Sequence, residues 1–313
     1  MRSQRDSGRF RLLRQLRRGT GEGPGGRSGR RIQRAVEIVF LSSAEAIERL
    51  VPQGTGLLAV GGMHMHNNPM ELVRELVRRR RGVRRLLTSP SASLAADLLI
   101  GAGLVDEVAT AYIGFEHLGL APAYRRAAES AAINVVELCE AAIVHGLYAG
   151  AGGLPFIALP VGLELSDVSS ANPEHFRMIN DPFTGDRVLA AAPLRPNVSL
   201  IHALAADERG NVFFAGAHFT DRLMAMAAKT VIVQVERMAE AAEIAAQPAE
   251  SVLPGFLVTA VVVAPRGCLP TASHGAYGYD EPGLRAYLKL ARTAEGFTEY
   301  MQVNGMAPAG VTA

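Results

Sequence analysis

From about residue 36 the chain alternates short, almost continuously apolar runs with amphipathic stretches. "LLAVG" (57–61) has the length of a strand, and the following "PMELVRELVRRR" carries Met70, Val73, Leu76 and Val77 at helical spacing. Pro69 suits the first turn of that helix, where a missing N–H costs nothing. The alternation then continues. "RRLLTS", "DEVATAYIGF" and "INVVEL" read as strands. "ASLAADLLIGAG", ended by Gly101 and Gly103, reads as a helix, as do "PAYRRAAESA" and "EAAIVHGLYAGAG". "PFIALPVG" closes this half, and "LELSDVSSANPEHFRMINDPFTGDR" (163–187) reads as loop, with turn signals at Asn172-Pro173 and from Asp181-Pro182 to Gly185. "VSLIHALAADERGNVFFAG" predicts a buried strand, a turn at Gly210-Asn211 and a short partner strand. "FTDRLMAMAA", "TVIVQVE" and "GFLVTAVVVAP" resume the pattern, and "EPGLRAYLKLAR" is the closing helix.

Strands that are apolar on both faces, separated by helices of ten to fifteen residues, imply an α/β fold with an open, mostly parallel sheet covered by helices on both faces. Such sheets bind ligands at the carboxyl ends of their strands. "GGMHMHNNP" (61–69) lies at one of those ends.

Charge changes the picture at one place. The net charge is +2, yet residues 1–34 hold eleven of the 32 basic residues, all arginine, against Asp6 and Glu22. The remainder is mildly acidic. With "GTGEGPGGRSGRR" inside it, the segment has neither periodicity nor enough apolar residues to order itself, so residues 1–34 are expected to be a disordered arginine-rich tail. A nucleic-acid or membrane tail and a transit peptide compete with that reading, although a clean amphipathic repeat is missing. Residues 35–303 then form one domain and 304–313 a flexible C-terminal tail. No window approaches the roughly 18 apolar residues of a membrane helix. Cys139 and Cys268 sit far apart without a CxxC partner, which points to a reducing, cytoplasmic setting with no disulfide framework.

The glycine-rich turn at 61–69 makes a poor nucleotide loop, because it has no GxGxxG and no Gly-Lys-Ser/Thr. His64-x-His66 offers two metal ligands, but the other histidines are scattered and no metal site is expected. Gly61 and Gly62 instead allow close backbone approach to a ligand, with free N–H groups at a helix start able to hold an oxyanion or acyl carbonyl. In "VVELCEAAIVHGL", Glu140 has two readings: a carboxylate favoured by the helix dipole, or a base or hydrogen-bond orienter at the ligand edge. Glu137 reads as structural, and Cys139 as a small apolar residue rather than a reactive thiol. No GxSxG elbow is present. "DPFTGDR" reads first as a turn whose arginine and backbone amides could also meet an anionic ligand, and "YGYD" as a binding edge or plain packing.

Taken in order, "GG…NPMELVREL", "GLVDEVATAYIGFEHLGLAPAYRRA", "VVELCEAAIVHGLYAGAGGLPFIALPVGL", "INDPFTGDRVLAAAPLRPNVSLIHALAADERGNV", "DRLMAMAAKTVIVQVE" and "YGYDEPGLRAYLKLARTAEGF" resemble the alpha subunit of family I coenzyme A-transferases. The likeness runs from about residue 39 to 303 and is nearest the alpha-subunit branch of the glutaconate CoA-transferases. It implies a beta-type partner subunit, in a heterodimer or heterotetramer, that supplies the nucleophilic glutamate. It also implies acyl-CoA and a carboxylic acid as substrates, no permanently bound cofactor, and no nucleic acid or membrane partner. This chain lacks the glycine-rich segment leading to the partner's Glu-x-Gly signature; Glu281-Pro282-Gly283 matches the bare pattern outside that context. Gly61, Gly62, His64, Asn67 and Phe115 are expected to line the substrate pocket, with His66 in the pocket or at the subunit interface. Many relatives carry small residues where this chain has Met63 to Asn68, so its pocket is narrower and richer in donors. A sister group, the CoA-dependent hydrolases that open a steroid ring by a retro-Claisen reaction, is similar as well. They rely on an alpha-subunit carboxylate, and Glu140 falls at the matching position. A non-catalytic scaffold role is the third reading.

Overall fold

In the computed structural model, which describes residues 38–306, the apolar runs become strands of one sheet. The described chain enters through β1 (Val39–Phe40) and α1 (Ser43–Leu50). A capping box starts that helix: the Glu45 N–H donates to Ser42 Oγ at 3.2 Å and the Ser42 N–H to Glu45 Oε2 at 3.0 Å. Four strand-to-helix units follow. β2 (Thr55–Val60) leads to α2 (Met70–Arg78), and β3 (Val83–Thr88) leads through β4 (Ser91–Ala92) to α3 (Leu94–Gly101). β5 (Val105–Thr110) leads through β6 (Tyr112–Ile113) to α4 (Pro122–Glu129), and β7 (Asn134–Glu137) to α5 (Glu140–Ala151). Next come β8 (Ile157–Ala158), α6 (Val168–Ala171), β9 (Phe176–Asn180) and β10 (Arg187–Ala191). The second half comprises β11 (Val198–Ala206), β12 (Val212–Phe213), α7 (Asp221–Ala227), β13 (Thr230–Met238) and α8 (Ala241–Ala245). It ends with β14 (Val252–Leu253), β15 (Ala260–Val263), α9 (Glu281–Leu290) and α10 (Ala294–Val303).

The main sheet runs β1-β15-β13-β11-β2-β3-β5-β7, and each neighbouring pair on this path is parallel. β12 and β14 add an antiparallel appendage to β11. From β2 the chain lays β3, β5 and β7 outward on one side; β11, β13 and β15 then grow outward on the other. The strand order therefore reverses between β2 and β11, which makes their carboxyl ends the switch-point crevice.

Alternation along the strands explains why they read as continuously apolar. Leu58, Leu86 and Val108 face a core with α1, α2, α3, α9 and α10, while Ala59, Leu87 and Ala109 face α5 and α7. Both faces are thus buried, as the sequence pattern predicts.

Two stretches differ from expectation. Residues 163–187 are not all loop: β9 and β10 pair antiparallel from Arg187–Asn180 to Ala191–Phe176, with β8 beside β10. Arg177 and Met178 both face solvent, so this strand lacks the alternation that marks a half-buried one. After Arg292 the chain continues into α10, begun by Thr293, whose Oγ1 accepts from the Gly296 N–H at 3.0 Å. The packed body also reaches beyond residue 303, because Met306 is buried. The arginine-rich segment 1–34 and residues 307–313 lie outside the described residues. Among the described residues no helix is long and apolar enough to cross a membrane.

Candidate active site

The turn after β2 crosses the switch point. The Gly61 N–H donates to the Leu200 carbonyl of β11 at 2.9 Å, prolonging the ladder by one residue. Gly62 then turns with φ +89, and its N–H donates to Asp221 Oδ1 at 2.9 Å. A Cβ on Gly61 would overlap that same carboxyl oxygen, and one on Gly62 would stand 2.8 Å from the Asn67 carbonyl. At Gly61 the close approach is made by the Asp221 carboxyl, and at Gly62 by the His66 and Asn67 carbonyls. Asp221 opens α7 and is 1% exposed. Burial raises its pKa from 3.8 to about 7, opposed only by the Gly62 N–H, and its Oδ2 has no hydrogen-bond partner.

Beyond the glycines, Met63 and His66 close a tight turn by exchanging backbone bonds of 3.0 and 2.9 Å, with His64 at φ +49. Asn68 Nδ2 donates to the His64 and His66 carbonyls, each at 3.0 Å. Asn67, expected to touch substrate, is buried and ties three loops together. Its N–H donates to the Ala272 carbonyl at 2.7 Å, its Nδ2 to the Ala217 carbonyl at 3.2 Å, and its Oδ1 accepts from the His274 N–H at 2.9 Å. Its side chain holds the 217 and 274 segments together. Phe115 is fully buried, 5.9 Å from the Tyr287 ring, because its strand-end turn points into the core under α9.

His64 and His66 are both half-buried in this turn. His64 Nδ1 lies 2.5 Å from Glu116 Oε1, and the His66 ring lies 4.8 Å from that of His274 and 6.0 Å, edge-on, from Tyr279. Burial first, then His274 and His64, hold the His66 pKa below its usual value.

Deeper in the crevice lies a cluster that the sequence reading missed. His202 on β11 faces Gln234 on β13 in register. Gln234 Nε2 stands 3.0 Å from His202 Nδ1, and His202 Nε2 stands 2.8 Å from Ser273 Oγ. With Gln234 donating, the imidazole proton belongs on Nε2. Burial drives the His202 pKa down to about 3, so the ring is neutral. Tyr277 donates to Glu236 Oε1 at 2.6 Å, and the Arg266 N–H donates to Glu236 Oε2 at 2.5 Å. His202, Glu236 and Cys268 are the described group whose donor atoms converge within 4.8 Å, close enough to suggest a metal. Both nitrogens of the histidine and both oxygens of the glutamate are already engaged, however, and burial pushes the Cys268 thiol up, away from the thiolate a metal needs. The cluster is a self-satisfied polar network. Its one legible signal is a histidine and a glutamine inside otherwise apolar strands.

Glu140 is the first, exposed residue of α5, preceded by Cys139, whose Sγ accepts from the Ala142 N–H at 3.4 Å. Gly150 lies so near α7 that its Cβ would be 3.3 Å from Ala227 Cβ, so α5 and α7 align at their carboxyl-terminal ends. At 1.5 Å per residue, Glu140 projects about 15 Å from that contact and Asp221 about 9 Å. The two acidic residues therefore start neighbouring helices, with Glu140 further along from the shared contact. Glu137 is exposed at the end of β7 and offers only its carbonyl, which accepts from Asn172 Nδ2 at 2.8 Å.

A doubly wound parallel sheet with a glycine turn, a buried carboxyl and clustered imidazoles at its switch point is the frame of a ligand-binding α/β enzyme. Residues 40–264 match the coenzyme A transferase family, and the chain belongs to it, in the alpha-type branch. It is 34% identical over 266 residues to the A-type subunit of the 3-oxoadipate CoA-transferase of Pseudomonas knackmussii, covering 84% of this chain and 92% of that one. It is 30% identical over 256 residues to the cholesterol ring-cleaving hydrolase IpdA subunit of Rhodococcus jostii, covering 78% and 84%. The crystal structure of glutaconate coenzyme A-transferase from Acidaminococcus fermentans superposes with a TM-score of 0.77 at 28% identity, covering 84% of this chain and 87% of that one.

Proposed function

We propose that this chain is the alpha subunit of a cytoplasmic heteromeric transferase that moves coenzyme A from an acyl-CoA to a carboxylic acid, with the attacking glutamate supplied by a beta-type partner. The observation that carries the reading is the state of the crevice's own carboxyls. Asp221 is buried and bonded to the Gly61–Gly62 turn, and Glu236 is held by Tyr277 and Arg266. Neither is free to attack a thioester. The partner's carboxylate would add to the thioester carbonyl and expel CoA as thiolate, giving an acyl-glutamyl anhydride. The thiolate would then attack the glutamyl carbonyl, releasing the acid and leaving a glutamyl-CoA thioester for the second acid. The CoA thioester is a substrate, and no resident cofactor enters these steps. An exposed apolar face supports a partner: Phe156, Val161, Leu165 and Phe183, on and around the small antiparallel sheet, all face solvent.

The hydrolase reading draws on a different observation. Glu140 is exposed at a helix start beside the crevice, where a carboxylate can serve as a base. One experiment separates the readings. The chain is co-purified with its partner, incubated with acyl-CoA, reduced with borohydride and weighed by intact mass spectrometry. Conversion of one partner glutamate to its alcohol is the expected result. CoA-ester consumption without an acceptor acid, on an unmodified partner, overturns it in favour of the hydrolase. A further variant, Glu140→Ala, is expected to lower turnover of the assembled complex more than tenfold; an unchanged rate with intact assembly reduces this chain to a scaffold.

A further inference from the structure

The segment "FAGAHFTD" (214–221), which leads from β12 into α7, makes one turn that its sequence does not suit. The Asp221 N–H donates to the His218 carbonyl at 2.8 Å, closing a four-residue turn around Phe219 and Thr220. Thr220 sits at φ −94 and ψ −4, and Phe219 precedes it at φ +32. A tight turn with positive φ at its first central residue is the form that glycine usually fills. Six other described non-glycine residues have a positive φ, and all lie between +49 and +58, close to the left-handed minimum. Phe219 falls short of that minimum and carries a large side chain, so its backbone is strained.

Strain of this kind persists only where the surroundings impose it, and it gathers at sites that hold ligands. Here both flanks are tied to the loop after β2. The Ala217 carbonyl accepts from Asn67 Nδ2 at 3.2 Å, and Asp221 Oδ1 accepts from the Gly62 N–H at 2.9 Å. Gly216 is pressed against His274, whose Nδ1 would lie 2.6 Å from a Cβ there. The turn is thereby fixed beside Gly61 and Gly62, at the switch point. Its neighbours face inward: the His218 ring lies 5.2 Å from that of buried Phe214, and Thr220 and Asp221 are each 1% exposed. The Phe219 ring is 40% exposed. Glycine would relax the backbone and lose only this ring, so the ring is what the strain maintains. The apolar residues assigned above to the partner surface, Phe183 and Val161 among them, carry no positive φ. A clamped ring fits instead a contact that must be placed within about 0.5 Å of a reacting group.

We infer that Phe219 is a specificity-determining residue for the acyl group, its ring forming an apolar wall on which the acyl carbon chain packs beyond the thioester carbonyl. The favoured substrates are then thioesters with an apolar body of several carbons. The inference deepens the transferase reading and rests on its acyl-CoA substrate. Each methylene removed from water adds about fourfold in affinity, so four more carbons, half covered, give at least about tenfold.

The test is read as binding, on the complex assembled with its partner, with S-ethyl-CoA and S-hexyl-CoA as probes. These thioethers have no carbonyl for a carboxylate to attack. S-hexyl-CoA is expected to bind at least tenfold more tightly by calorimetry. Phe219→Gly should erase that preference and keep the S-ethyl-CoA affinity, whereas Phe219→Leu should retain a preference of threefold or more. The melting temperature of Phe219→Gly should stay within about 2 °C of the unaltered chain or exceed it, because relief of strain offsets the lost contacts. Truncating a core phenylalanine lowers it by on the order of 10 °C. No binding of either probe, equal affinity for the two, a preference that survives Phe219→Gly, or an equal loss of both affinities overturns the proposal. A fall of core size makes the ring a packing residue, and weakened association with the partner makes it an interface residue; either also overturns it. A complex that shows the chain-length preference yet yields no trapped partner thioester removes the transferase reading and leaves the wall in place.

Discussion

Asp221 shows how a single side chain can set the chemistry of an edge. Its pKa is raised to about 7 from 3.8, so between about pH 4 and 7 the folded chain keeps a proton that the unfolded chain releases. The stability contributed by this group is therefore complete at the acid end of that window and is lost as pH rises through 7. Asp97, buried and raised to about 6, acts in the same direction. His202 acts in the other: with its pKa lowered to about 3 from 6.5, it contributes stability that is lost as pH falls through that range. Asp221→Asn keeps an oxygen for the Gly62 N–H and abolishes the titration. It is expected to raise the melting temperature at pH 8, by an amount equivalent to a few kcal/mol at most, and to leave it nearly unchanged at pH 4; calorimetric melting across that range checks both. In the sequence Asp221 is only a helix-start acid in "FTDRLMAMAA", since nothing local says that a glycine about 160 residues earlier will seal it from water. The same holds for Asn67 and Phe115, whose burial depends on segments distant in the chain.

Secondary-structure elements are far more legible, because period carries them. The β2–α2 unit and its repeats follow from apolar spacing and from Pro69, and the switch-point position of "GGMHMHNNP" follows from the alternation. What period does not reveal is how a helix start is satisfied from elsewhere. No side chain of the N-cap residue Pro69 caps α2; the Gly267 carbonyl takes the Glu71 N–H at 3.0 Å, and Gln234 Oε1 takes the Glu71 and Leu72 N–H groups at 3.1 and 3.4 Å while its Nε2 serves His202. Gln234→Ala strands buried groups on two elements at once. A cost of about 2–4 kcal/mol is expected, read as a lower urea midpoint; a loss under about 0.5 kcal/mol would show that water replaces the amide. The β9–β10 hairpin is hidden for a different reason. Its Asx turn, in which the Phe183 N–H donates to Asp181 Oδ1 at 2.8 Å, is readable in "DPFTGD", yet the strands show no one-sided apolar pattern.

At the scale of the molecule that missing pattern becomes informative. Phe183 and Val161 are 94% and 91% exposed, and large apolar groups left so open fit the partner surface proposed above. Phe183→Ser and Val161→Ser are expected to leave the melting temperature of the isolated chain almost unchanged while weakening association with the partner at least tenfold by analytical ultracentrifugation. Unaltered association would place the interface elsewhere.

The contact between α5 and α7 extends this to the geometry of the crevice. Gly146 and Gly150 sit one helical turn apart, and a methyl on either would run into Leu194, whose N–H donates to the Gly146 carbonyl at 2.8 Å. The two hydrogens therefore let α5 close on the Leu194 backbone, and the position of Glu140 at the other end of that helix follows from this seat. A displacement of about 1 Å at a reacting group can cost a hundredfold in rate. A side chain at either glycine would lift α5 from Leu194 and carry Glu140 with it, from the end of the helix farthest from the mouth.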